Sequence, residues 1–168
     1  MTGGFRIRAM SIEDYDEVHA LWLRCQGMGL NDVDDSRAGI ARLLARNPET
    51  CLVAVGETLA PGTATELAPE RISTSGSVLG CILVGTDGRR AYVYHTAVDP
   101  SARGRGIGRA LVEASLAALR RLRVSKVALV AFSCNLEGNA FWERMGFRQR
   151  HDLAYRDLAL VRMVRTDT

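Results

Sequence analysis

The stretch Ala97-Val98-Asp99-Pro100-Ser101-Ala102-Arg103-Gly104-Arg105-Gly106-Ile107-Gly108-Arg109-Ala110-Leu111 decides how this chain is read. It joins two patterns. Ahead of it, Ala91 to Val98 is rich in aromatic and β-branched residues, which suit a strand. Behind it, Ile107, Leu111, Ala114, Ala118, Leu119 and Leu122 form one apolar stripe at helical spacing, so Gly108 to Leu122 is expected to be a helix. Glycines at alternate positions in between, lacking Cβ, allow unusual dihedral angles and close approach of a ligand to the backbone. The N–H groups of such a turn and of the first helical turn point one way, with the helix dipole behind them. That makes an anion site suited to a phosphate or pyrophosphate, and Arg103, Arg105 and Arg109 add positive charge. Spacing excludes two other phosphate loops. A P-loop needs Gly-Lys-Ser/Thr where Gly108-Arg109-Ala110 stands, and Gly104, Gly106 and Gly108 do not fit G-x-G-x-x-G.

Working outward, Phe5 to Arg8 alternates apolar and charged residues, as a half-exposed strand does. Ser11 is placed to cap a helix carrying Tyr15, Val18, Leu21, Trp22 and Cys25, ended by Gly27-Met28-Gly29. Asp35 or Ser36 can cap a second helix that runs to Asn47-Pro48. Cys51–Val55 and Ser77–Gly85 are expected strands, the latter followed by a hairpin turn at Thr86-Asp87-Gly88. Residues 56–76, rich in Gly, Pro, Ser, Thr and Ala, are expected to be a long flexible connection or an extended hairpin tip. After the glycine turn and its helix come a buried strand over 126–132, an amphipathic helix over 136–145 with Gly146 as a left-handed C-cap, and one or two closing strands between Phe147 and Val164. The order implies a single α/β domain over 1–168, with a mixed, mostly antiparallel sheet.

Composition bounds the function. A chain of 168 residues with 47% hydrophobic and 24% charged residues is an ordinary globular protein. No apolar run reaches the roughly 20 residues of a membrane span, and the N-terminus lacks a signal-peptide pattern. A cytoplasmic protein without membrane contact is expected. The net charge of +3 is mild, and no basic face with interleaved aromatics points to nucleic acid. Cys25, Cys51, Cys81 and Cys134 are scattered, as are His19, His95 and His151, so no metal constellation is read.

The stretch 97–111 closely resembles the coenzyme A-binding motif of the GNAT (Gcn5-related) N-acetyltransferase superfamily, whose Gln/Arg-x-x-Gly-x-Gly/Ala core is matched by Arg103, Gly106 and Gly108. A second stretch, Asn135 to Phe147 with Trp142 and Gly146-Phe147, resembles the family's Asn-led helix ending in Gly-Phe. The resemblance implies helices on both sheet faces and a cofactor cleft made by splaying two adjacent parallel strands, here 91–98 and 126–132. It implies acetyl-CoA as acetyl donor and no metal. The backbone of Ala97 and Val98 would pair with the pantetheine arm, and amides from Arg103, Gly104, Arg105, Gly106, Ile107, Gly108 and Arg109 would hold the pyrophosphate. Asn135 would hydrogen-bond the cofactor. The acceptor would be a small-molecule or peptide amine, and dimers are common in such families.

The proton chemistry departs from the family's pattern. Many members protonate the leaving thiolate with a tyrosine where Trp142 stands, and an indole N–H is not an acid near neutral pH. Tyr94, Ser133, Cys134 and solvent are the candidates for that role, while Trp142 is packing or one wall of the substrate site. Positions where relatives place a basic glutamate fall on Tyr92 and Val130. Tyr92 and Tyr94 share a face with Thr96 and Val98 in a regular strand and would line the acceptor cleft. His95 would point the opposite way unless a bulge near Ala97 intervenes. Asp32, Asp34 and Asp35, between the first two helices, would either attract a cationic amine and accept its proton or simply cap the helix. Acetyl transfer to a primary amine in a ternary complex is the expected function. A non-catalytic acyl-CoA sensor, another acyl donor, or a protein N-terminus as acceptor are the alternatives.

Overall fold

A computed structural model describes residues 4–57 and 76–167. Most of the connection expected over 56–76 lies outside the described residues. The elements are β1 (Phe5–Ala9), α1 (Tyr15–Leu23), α2 (Arg37–Arg46), β2 (Leu52–Gly56), β3 (Val78–Thr86), β4 (Ala91–Val98), α3 (Ile107–Arg121), β5 (Val127–Leu129) and α4 (Leu136–Arg144), with short 3-10 turns at Ile12–Asp14 and Pro100–Ala102. The sheet order is β1-β2-β3-β4-β5. Its first three pairings are antiparallel and the last, β4 with β5, is parallel.

The central strands β2, β3 and β4 feed two cores because their side chains alternate across the sheet. Val53, Val55, Cys81, Leu83 and Ala97 face α1 and α2, where Val18, Leu21 and Trp22 are fully buried. Leu52, Ala54, Ile82, Val84 and Val93 face the opposite way, against Ile107, Leu111 and Leu119 of α3. Ser36, not Asp35, caps α2, its side chain accepting from the Gly39 N–H at 3.1 Å. Gly146 ends α4 with φ +88°, the left-handed conformation expected there.

Two expectations fail. β5 stops at Leu129 instead of reaching Phe132, and Val130 and Phe132 are about half exposed. The closing strands between Phe147 and Val164 do not form among the described residues. Residues 147–167 carry one isolated bridge, Asn31 to Arg165. The short β5 offers little edge to pair with, and the tail is instead tied to the α1–α2 connection. There the Val164 N–H donates to the Asp32 carboxylate at 2.7 Å, and the Gly29 and Leu30 N–H groups donate to Asp167 at 2.7 and 2.9 Å.

Candidate active site

The site begins where β4 and β5 part. Their ladder holds Ala91 to Val127, Tyr92 to Ala128 and Val93 to Leu129, then ends, although β4 continues for five residues. Between the diverging chains lies a cleft of about 1100 Å³, walled by Val93–Val98 on one side and by Leu129–Phe132 on the other. Its volume is slightly above the range usual for small-molecule sites, about 300–1,000 Å³. Ala97 and Val98 of β4 both line it, and β5 has already ended opposite them.

The floor at one end is the start of α3. Gly104 and Gly106 have φ +76° and +81°, and a Cβ on either would meet nothing within 4 Å. The left-handed backbone, not crowding, therefore requires glycine at both places. Gly106 is the N-cap, and the first helical bond runs from the Ala110 N–H to the Gly106 carbonyl at 3.0 Å. The N–H groups of Ile107, Gly108 and Arg109 precede that bond and face out of the helix end with its positive dipole. Gly108 is different: its φ is not left-handed, and a Cβ there would lie 3.4 Å from the Phe141 ring, an ordinary van der Waals contact. Arg103, Gly104, Gly106, Ile107, Gly108 and Arg109 all line the cleft. Asp99 fixes the approach to the turn by accepting from Ser101 and from Arg24, at 2.6 and 2.8 Å. Those bonds, Ser101 first, hold its carboxyl below the usual range.

On the far side, Asn135 caps α4, accepting from the Gly138 N–H at 2.9 Å, and also lines the cleft. Trp142 is half-buried between Phe141 and Phe147, with ring centroids 5.0 and 5.1 Å away, and borders the same space. Ser133 and Cys134 are exposed and lie outside the cleft's lining.

A bulge in β4 rearranges the acceptor side. Leu83 pairs with His95 and Val84 with Val93, so Tyr94 is the extra residue. Opposed residues in a ladder share a face, which puts Val93 with Val84 toward α3 but His95 with Leu83 toward α1 and α2. The expected common face of Tyr92, Tyr94, Thr96 and Val98 is therefore broken. Thr96 pairs with Ile82 on the α3 side, whereas the Tyr92 and Tyr94 rings lie together, 5.1 Å apart. Burial, with the nearby Tyr155 and Tyr94 phenols, raises the Tyr92 pKa above its ordinary value. Tyr94 is 54% exposed and borders both the cleft and a second cavity of about 430 Å³.

That second cavity is lined by Asn31, Asp34, Asp35, Arg42, Tyr94 and His95, among others. The three acidic residues have different surroundings. Asp32 holds the tail, Asp34 accepts from the Asn31 side chain at 3.3 Å, and Asp35 is 4% exposed. Asp35 accepts from the Asn31 N–H at 2.8 Å and lies 2.6 Å from His95 Nε2. Sequence reasoning missed this pairing of His95 with Asp35. The one available signal was Gly85 within β3, since a strand glycine often marks a bulge or close approach. A Cβ on Gly85 would come 2.9 Å from the Tyr94 ring.

Among the described residues no group of three or more His, Cys, Asp or Glu could hold a metal ion, and no helix is long and apolar enough to cross a membrane.

A parallel strand pair that splits over a glycine-capped helix makes an open cleft with an anion site at its end. Comparison with known proteins narrows the class. The sequence model of the Acetyltransferase (GNAT) family matches residues 62–147. An acetyltransferase of Photorhabdus laumondii is 30% identical over 145 residues, covering 86% of this chain and 87% of the relative. Further bacterial acetyltransferases match over 106 residues, 61% of their own length. Ard1 from Thermoplasma volcanium shares the fold with a TM-score of 0.67 at 24% identity, over 86% of this chain and 82% of that one. The PaiA N-acetyltransferase from Thermoplasma acidophilum, solved in complex with coenzyme A, shares it with a TM-score of 0.67 at 16% identity, over 86% and 90%. The chain belongs to the GNAT acetyltransferase family, and it is an acyltransferase.

Proposed function

We propose that this protein transfers the acetyl group of acetyl-CoA to a primary amine, by direct attack while both substrates are bound. The observation that supports this best is the split between β4 and β5, closed at one end by the bare N-terminus of α3. The residues present fit the donor. Two left-handed glycines present the amides of Ile107, Gly108 and Arg109 to a pyrophosphate, and Arg103 and Arg105 flank the turn. The β4 backbone at Ala97 and Val98 would carry the pantetheine arm in the manner of an added strand, with the Val98 N–H polarising the acyl carbonyl. Asn135 and α4 would flank it. The similar PaiA N-acetyltransferase of Thermoplasma acidophilum was solved in complex with coenzyme A, which supports the choice of cofactor. Acetyl-CoA supplies the acyl group as an activated thioester.

The acceptor would enter through the second cavity, past Tyr94 and the carboxylates of Asp34 and Asp35. Negative charge there favours a cationic amine. Tyr94, which borders both spaces, would protonate the departing thiolate. Free-thiol release is the test, using acetyl-CoA with a peptide bearing a free α-amino group, spermidine or an aminoglycoside. Stoichiometric thiol release with the amine gaining one acetyl group is expected. Saturable acetyl-CoA binding with no release against all of them would overturn the proposal in favour of a non-catalytic sensor.

A further inference from the structure

The bulge at Tyr94 turns His95 toward α1 and α2, and there the ring is held on several sides. Nε2 is 2.6 Å from the Asp35 carboxylate, and the imidazole and Asp35 side chains are 13% and 5% exposed. The Trp22 ring packs against it with centroids 5.0 Å apart. Asp35 is itself fixed: its second oxygen accepts from the Asn31 N–H, and its backbone carbonyl accepts from the Tyr15 hydroxyl at 2.9 Å. His95 nevertheless borders both the donor cleft and the acceptor cavity. A carboxylate bound at Nε2 keeps the neutral ring's proton on that nitrogen and leaves the Nδ1 lone pair to act as a base.

We propose that His95 is the general base for the acceptor amine and that Asp35 is its positioning residue. This rests on the amine acetyltransferase reading above. The substrate ammonium gives one proton to His95 Nδ1. The neutral amine then bonds to the acetyl carbonyl carbon as the carbon–sulfur bond breaks. The Tyr94 hydroxyl gives its proton to the departing sulfur and regains one from the second N–H of the acetylated nitrogen, and His95 returns its proton to solvent, so each turnover releases one proton. The purpose of the bulge follows. In a regular strand His95 would face α3 with Val93, away from Asp35 and the cavity.

Two readouts test this. The first needs no turnover: 15N NMR of the imidazoles at a pH where the rings are neutral, with His95 assigned by loss of its signals in His95→Gln. The proton is expected on Nε2 and Nδ1 bare, with that preference lost in Asp35→Asn; a proton on Nδ1 in the wild type overturns the proposal. The second uses whichever of the peptide, spermidine and aminoglycoside turns over fastest. His95→Gln and His95→Ala should each slow transfer on the order of 100-fold, while coenzyme A affinity by calorimetry stays within about threefold. Added imidazole should restore about tenfold of the loss in His95→Ala, because the small base can occupy the vacated site. Loss without rescue, or transfer within about threefold of wild type, overturns the base assignment alone. A wild-type protein that acetylates none of the amines overturns the underlying function as well.

Discussion

Replacing Gly106 by alanine separates two jobs that this glycine could have. Its φ is +81°, and a Cβ would meet no atom within 4 Å. Steric conflict with neighbours therefore contributes nothing, and the cost is the left-handed backbone itself, about 1–2 kcal/mol for an L-residue with a Cβ. In a domain of this size, about 1 kcal/mol lowers Tm by roughly 2–4 °C, so Gly106→Ala should melt about 2–8 °C lower. Gly106→Asn should recover most of that loss, because asparagine tolerates this region better. Thermal unfolding followed by circular dichroism measures both. Coenzyme A affinity should fall by less than about tenfold in Gly106→Ala, since the amides of Ile107 to Arg109 remain in place. An alanine variant that melts with the wild type, or an asparagine variant no better than alanine, would refute the reasoning.

Further predictions concern the proton chemistry, the acid limb of stability and the thiols. Tyr94→Phe should slow acetyl transfer about 10-fold or more with coenzyme A affinity unchanged; an unaltered rate in steady-state assays removes Tyr94 as the acid. Burial alone would raise the Asp14 carboxyl, but bonds from Arg8 at 2.7 and 2.6 Å and from the Ser11 N–H at 2.8 Å outweigh it and lower the pKa. The stabilisation is thus present above the unfolded value, about 3.9, and lost as pH falls through the folded one. Asp14→Asn should cost about 1–2 kcal/mol at neutral pH, and urea titrations should show that difference shrinking in acid. Cys134 is exposed whereas Cys25, Cys51 and Cys81 are buried, and burial pushes the Cys51 and Cys81 thiols up to about 11 and about 12. A colorimetric disulfide reagent should therefore titrate Cys134 rapidly in the native protein and the other three on unfolding.

What was legible in the sequence was whatever local chemistry dictates. The glycines at 104 and 106 announce positive φ, the α3 stripe announces a helix, and Gly146 announces its neighbour's end. What stayed hidden depends on pairing between distant segments. Nothing in Tyr92-Val-Tyr-His95 marks Tyr94 as an extra residue, because the bulge exists only against Leu83 and Val84 of β3. That one slip exchanges the faces of everything after it, which is why His95 was read as pointing away and Thr96 as a partner of Tyr92. The tail erred for the opposite reason. Leu158 to Val164 has strand-like composition, but those side chains remain exposed beyond the three-residue β5. In sequence Asp35 reads like Asp32 and Asp34, an acid that attracts the amine or caps the helix, and only its burial against His95 separates it from them.

In the proposed function the split between β4 and β5 over the α3 N-terminus holds the coenzyme. Calorimetric titration of coenzyme A into the wild type and into Gly106→Glu tests it most directly. The wild type should bind at one site, and that binding should be lost when a carboxylate is placed on the phosphate turn. Equal affinity in the two proteins would contradict it.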